Sequence, residues 1–161
     1  MENKPLDNQV WQWGDACYAK NQALCLMLQD SYAVNVNLLL LALYLDNTRT
    51  GVSADTSSKQ TSSNLFSSKQ WQILITGVME WDDKLIVPYR RLRRLAKDRL
   101  SQTEYEQMLA VELMLERKAQ RTILNAVNGL SPTGQQTNLV SYLTLFGLSA
   151  ADVNALDFIA P

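Results

Sequence analysis

Two carboxylates, Glu112 and Glu116, stand one helical turn apart inside the apolar stretch AVELMLERKA at residues 110–119. Residues at i and i+4 share one face of a helix, so the pair points into a single environment. Met108, Leu109, Leu115, Ala119, Ile123, Ala126 and Val127 define the apolar side of this helix, and the two glutamates lie at its centre. A carboxylate buried there without a partner is costly, so each glutamate needs a cation or a raised pKa. Metal chemistry is poorly served. Carboxylate-bridged di-iron bundles need Glu-x-x-His pairs, and the chain has no histidine. Glycosidase-type hydrolysis needs a cleft between its two carboxylates, and nothing else in the sequence calls for one.

The cations to meet those glutamates lie just upstream. In YRRLRRLAK, residues 89–97, a helical wheel puts Leu92, Leu95 and Ala96 on one side and Arg90, Arg91, Arg93, Arg94 and Lys97 on the other. Such a basic amphipathic face can dock on phosphates or on an acidic protein. It can equally be a solvated face paired with nearby acids, among them Glu80, Asp82, Asp83, Glu104 and Glu106. A short connection at residues 101–103 predicts an antiparallel return. Arg91 and Arg94, at the margin of the apolar side, then have the reach to meet Glu112 and Glu116. Arginine suits the role because its planar fork gives a carboxylate two hydrogen bonds. The expectation is a partly buried network of Arg91, Arg94, Glu112 and Glu116 that locks two helices, or lines a polar pocket. Such a network fixes which helices face each other more than it stabilises them, because desolvation offsets the attraction.

Composition bounds the rest. The absence of histidine removes His-based acid/base catalysis, Ser-His and Cys-His pairs, and most zinc, haem and non-haem iron sites. No catalytic residue, metal or cofactor is assigned. Fifteen basic and sixteen acidic side chains leave a net charge of −1, which gives the whole molecule no electrostatic reason to bind nucleic acid or anionic membranes. Cys17 and Cys25 would lie roughly 12 Å apart on a continuous helix, too far to bridge; a break between them would bring them closer, but reduced core thiols are the expectation. MENKPLDNQ has no apolar core of a signal peptide. The apolar run at residues 34–45 is about half the ~20 residues of a membrane span. A soluble, cytoplasmic protein is expected.

Hydrophobic residues make up 47% of the 161 and charged ones 19%, with only six glycines and four prolines. That composition fits an all-α fold, here an irregular single-domain bundle of about six or seven helices over residues 1–161. Val10, Trp13, Cys17, Leu24 and Leu28 mark the first helix, with Asp7 as its cap and an interruption near Lys20 and Asn21. The helix at 36–45 is leucine on nearly every side and should be the most buried. Residues 46–64 are rich in Ser, Thr and Asn and read as a long flexible loop. SSKQ at 67–70 and SQTE at 101–104 are capping boxes. The helix opened by the first carries a stripe from Trp71 through Leu74, Ile75, Val78, Trp81 and Leu85 to Leu92 and Leu95, with a kink or break at Pro88. The second helix runs to about Asn128, where Gly129 ends it. Short helices at 136–146 and 150–156, the latter capped by Ser149, close the chain. Of four tryptophans read mainly as core, Trp11 sits at the edge of its stripe and is the best candidate for exposure.

Several segments, in order, resemble one family: VWQWGDACYAKNQALCLMLQD, VNVNLLLLALYL, WDDKLIVPYRRLRRLAK, VELMLERK and NLVSYL. It is a family of short, uncharacterised proteobacterial proteins classed only as a domain of unknown function. The matching positions are Trp13, Leu26, Gln29, Asn37, Leu38, Leu39, Leu40, Pro88, Arg90, Arg94, Glu112, Glu116 and Arg117. The chain departs from the pattern at Asn21-Gln22, where Pro-Gly is usual, at Asn35 for Asp and at Tyr89 for Leu. The resemblance implies a bacterial, cytoplasmic, all-helical protein and carries no activity.

Three functions remain open, in descending order. The first is a non-catalytic helical adaptor or regulatory protein that acts through a protein partner or as a homo-oligomer. The second is nucleic-acid binding through Arg90, Arg91, Arg93, Arg94 and Lys97. The third is a small-ligand pocket at the Arg–Glu network.

Overall fold

A computed structural model describes residues 5–50 and 64–161, without the side chains of residues 49 and 50. Every regular element among them is helical: α1 (Gln9–Tyr32), α2 (Val36–Thr50), α3 (Ser68–Trp81), α4 (Val87–Ala96), α5 (Gln102–Asn128), α6 (Asn138–Leu143) and α7 (Ala150–Asn154). A π-helical turn, Asp82–Ile86, joins α3 to α4, and a 3-10 turn, Lys97–Arg99, follows α4. The fold class expected from composition is therefore the one observed. The chain divides into two compact units, Met1–Ile73 with Asn128–Pro161, and Leu74–Val127.

In the first unit α2 is the central element. Leu38, Leu39, Leu41 and Ala42 are fully buried, and Leu40 and Leu45 nearly so, as a helix apolar on every side requires. Asn35 caps α2 by accepting from the Leu38 N–H at 3.1 Å. The helix also continues beyond the expected end at Leu45, through residues 46–50 that read as loop. The remainder of that loop, 51–63, lies outside the described residues. Asp46 gives a reason for the longer helix. Its carboxylate accepts the backbone N–H groups of Asn138 at 2.8 Å and Leu139 at 3.0 Å, so it neutralises the first donors of α6.

Asn138, itself fully buried, ties the same corner together. Its amide donates to the Asn64 carbonyl at 2.8 Å and accepts from the Phe66 N–H at 2.9 Å and the Trp71 indole at 3.3 Å. Trp71, Tyr142, Phe66 and Phe146 pack edge-on or tilted around it, 5.1–6.3 Å between neighbouring rings.

The interruption expected in α1 is a kink at Asn21, whose φ of −126° and ψ of 24° leave the helical region. Asn21 is buried and its amide makes three bonds to backbone. It donates to the Cys17 carbonyl, and it clasps the C-terminal segment by donating to the Ile159 carbonyl at 2.8 Å and accepting the Ile159 N–H at 2.7 Å. The side chain at the bend thus also holds the C-terminal segment. Cys17 and Cys25 are buried free thiols, and burial pushes Cys25 up to about 11. Trp11 corrects an expectation: it is buried, 6% exposed, whereas Trp13 is half-buried against Tyr44.

The second unit holds the end of α3, the π-turn, α4 and most of α5. Both expected capping boxes are present. Ser67 and Gln70 exchange bonds of 3.2 and 3.0 Å at the start of α3, and Ser101 and Glu104 exchange 3.2 and 2.9 Å at the start of α5. The closing helices are shorter than expected, Asn138–Leu143 and Ala150–Asn154, with Thr137 and Ser149 as caps.

Candidate functional site

Pro88 has no N–H to give the carbonyl four residues back, and its ring crowds that carbonyl. The backbone relieves the conflict with the wider π-turn, closed by a bond from the Val87 N–H to the Asp82 carbonyl. A π-turn holds one residue more than an α-turn. Everything after it is consequently advanced by one position. The stripe that runs through Trp71, Leu74, Ile75 and Val78 does not go on to Leu85, Leu92 and Leu95. It passes instead to Ile86, which is 3% exposed, and then to Tyr89, Arg90, Arg93 and Ala96, all half-buried. Leu92 and Leu95, expected inside, are 56% and 77% exposed.

That single-residue advance decides which arginines meet the glutamates. The network forms, but with Arg90 and Arg93 rather than Arg91 and Arg94, which are exposed and make no ion pair among the described residues. Arg90 donates through Nε to Glu112 Oε1 at 3.0 Å and through Nη2 to Glu116. Arg93 donates through Nε to Glu112 Oε2 and through Nη2 to Oε1 at 3.4 Å, a two-pronged grip, while its Nη1 reaches the Tyr105 hydroxyl at 3.2 Å. The Tyr89 hydroxyl donates to the Met108 carbonyl at 2.8 Å, and the Trp81 indole to the Leu115 carbonyl at 3.0 Å. Contacts that ascend α4 descend α5, so the two helices are antiparallel as expected.

Electrostatics follow the geometry. Burial pushes the Glu112 carboxyl up, but hydrogen bonds and charge from Arg93 and Arg90 outweigh it and hold the group below its ordinary range. For Arg93 the Glu112 hydrogen bond comes first and strengthens its hold on the proton. Burial works against the Arg90 charge, and Glu116 and Glu112 more than restore it. Glu112 is thus a committed anion with both oxygens occupied. Arrangements of this kind fix a helix pair and its register; they leave no proton for acid catalysis near neutral pH.

The predicted basic face is divided. Arg90 and Arg93 turn inward; Arg91 and Arg94 stay outside with Leu92 and Leu95. Lys97 lies over the Tyr105 ring, 5.9 Å from its centre. Sequence reasoning missed Tyr89 and Tyr105 as parts of the network. A signal existed, since Tyr105 lies two turns before Glu112 on the same face of α5. A shallow depression also lies on the far side of α5, lined by Ala110, Leu113, Met114, Arg117, Lys118 and Arg121. Among the described residues no cluster of three His, Cys, Asp or Glu side chains is placed to hold a metal, and no helix is long and apolar enough to cross a membrane.

An all-helical chain with an arginine–glutamate clasp between two antiparallel helices is the class of object defined so far. A family model described as a protein of unknown function (DUF2390) matches residues 9–123, and the chain belongs to that family. The match includes the kinked first helix, the leucine helix and the whole clasp. It ends before NLVSYL at 138–143, which the resemblance had included. Neither curated proteins nor solved structures match the chain.

Proposed function

We propose that this protein is a non-catalytic helical adaptor of the bacterial cytoplasm that binds a protein partner through the outer face of α4. One observation carries the reading: Leu92 and Leu95 stand 56% and 77% exposed, flanked by Arg91 and Arg94. Leu85 and Val87, 42% and 39% exposed, extend the apolar surface toward the π-turn. Large apolar side chains held outward on a helix anchored by an ionic clasp suit a docking surface. The flanking arginines suit an acidic amphipathic segment laid along it. Buried, unbridged Cys17 and Cys25 are at home in a reducing compartment.

Nucleic-acid binding is the second reading, and it loses strength because Arg90 and Arg93 are engaged by Glu112 and Glu116. The pocket reading loses more, since both Glu112 oxygens are taken. Fluorescence anisotropy separates the readings. A labelled amphipathic peptide with leucines at helical spacing and flanking glutamates is titrated beside short duplex DNA and single-stranded RNA. Binding of the peptide, lost on Leu92→Ser with Leu95→Ser, is the expected result. Peptide binding indifferent to those changes sinks the proposal. Salt-sensitive binding of DNA or RNA, lost on Arg91→Ala with Arg94→Ala, would replace it with the second reading.

A further inference from the structure

The outer face of α5, opposite Glu112, carries an ordered charge pattern. Glu104 and Glu106 stand at its N-terminal end, Ala110, Val111, Leu113 and Met114 in the middle, and Arg117, Lys118 and Arg121 toward the other end. All nine are exposed. Val111, Leu113 and Met114 are 40%, 47% and 49% exposed, large apolar groups in the centre of a helix face. Arg117, Lys118 and Arg121 have no acid partner among the described residues.

A stripe that runs from acid through apolar to base is complementary to itself when turned end for end. Thr103, Gln107, Ala110, Met114, Arg117 and Arg121 follow one another at alternating spacings of four and three, the repeat that keeps a seam facing a second helix. Laid antiparallel about a twofold axis near residue 112, Met114 of one copy rests on Ala110 of the other, a large side chain into a small gap. Leu113 meets its own twin, as does Val111. Glu104 then faces Lys118, and Glu106 lies beside Arg117, once at each end. A twofold contact uses one patch on both copies and closes, which this pattern satisfies and a parallel pairing would not, since it sets base against base.

We infer that the outer face of α5 is a self-association surface, and that its occupant is α5 of a second copy of this chain in antiparallel register. The apolar centre is what distinguishes this occupant from a nucleic acid, which would use the cations alone. One helix face buries little area, so the dimer is concentration-dependent and weakens with salt.

Sedimentation equilibrium of the full chain tests this through a charge exchange. Arg117→Glu with Arg121→Glu sets acid against acid at both ends of the seam. Glu106→Lys with Gln107→Lys sets base against base and spares the Glu104 cap. Each double variant alone is expected to associate at least about tenfold more weakly than the parent, and an equimolar mixture of the two to recover it. Leu92→Ser with Leu95→Ser, on α4, should leave the dimer intact. Independently, Leu113→Cys on the unaltered surface should crosslink to its twin under copper-phenanthroline oxidation. A monomer at all concentrations, a dimer indifferent to both charge reversals, no recovery on mixing, loss of the dimer through the α4 change, or no Leu113→Cys crosslink would each overturn the inference.

Discussion

Glu112 is held by Arg90 and Arg93 at once, Arg90 on one oxygen and Arg93 on both, from positions three residues apart on α4. Arg91 and Arg94, adjacent in sequence to those two, take no part. The contrast is a measure of how tightly the phase of a helix is set by the turn that precedes it.

The contrast is directly testable by urea unfolding. Glu112→Ala leaves the Arg90 and Arg93 guanidinium groups side by side without the carboxylate they share and should cost about 3 kcal/mol. Arg90→Ala should cost about 1 kcal/mol, reduced because its side chain is 35% exposed. Arg91→Ala and Arg94→Ala should fall within about 0.5 kcal/mol of the parent. Equal effects at all three arginines would mean that the clasp is not organised as described.

The clasp also predicts an acid limb. In the fold the Glu112 carboxyl is held below its ordinary value of 4.5, so its stabilising share is complete above that value. The share drains away as pH falls from 4.5 toward the lower folded value. Glu104 and Asp152 are lowered too, by the Ser101 and Ser149 backbone N–H groups first, and give a background slope. Stability measured from pH 3 to 7 should therefore fall less steeply below 4.5 in Glu112→Gln than in the parent, the two curves being compared by shape.

The π-turn can be removed. Deleting Asp83, exposed within that turn, removes the extra residue, so the turn should become an ordinary α-turn while Arg90 and Arg93 keep facing α5. The expected loss is about 3 kcal/mol, because Pro88 then crowds the carbonyl four residues back. In that background Arg90→Ala should keep its full cost. If Arg90→Ala becomes nearly neutral there, the extra residue of the turn is not what sets the register.

Asn21 and Asn138 provide a paired check in the first unit. Asn21→Ala removes both bonds to Ile159 and should cost about 1–3 kcal/mol, with faster carboxypeptidase trimming of the tail. Asn138→Ala orphans donors on Phe66 and Trp71 and should cost about 3 kcal/mol or more, without any change in trimming. Heat denaturation and a timed digestion separate the two.

Much of this was legible in the residues. Helical periodicity and the two capping boxes placed α1 to α5 closely, and the unbroken leucines of residues 38–41 marked the most buried helix. The glutamates at 112 and 116 announced a cationic partner because the alternative is expensive. The identity of that partner was not legible, because a wheel assumes a constant turn, and the π-turn before Pro88 is a departure that periodicity cannot register. The extension of α2 was hidden for a different reason: Asp46 is favoured there by donors at Asn138 and Leu139, ninety residues away. Trp11 was misjudged because one position at the edge of a stripe is decided by what packs on it.

The extra residue in that turn also bears on how the chain reaches its structure. Before the turn forms, the sequence favours a rival packing in which Leu92 and Leu95 go inside and the arginines face water. That packing is the greasier one, and local hydrophobic collapse would select it first. What disfavours it is Glu112, which would be desolvated beside leucines instead of guanidinium groups. The α4–α5 hairpin is thus a frustrated element in the energy landscape, with an apolar decoy one residue out of step. A refolding jump should show a slow phase for Trp81 fluorescence, and loss of the Glu112 charge should lengthen it by making the decoy more comfortable.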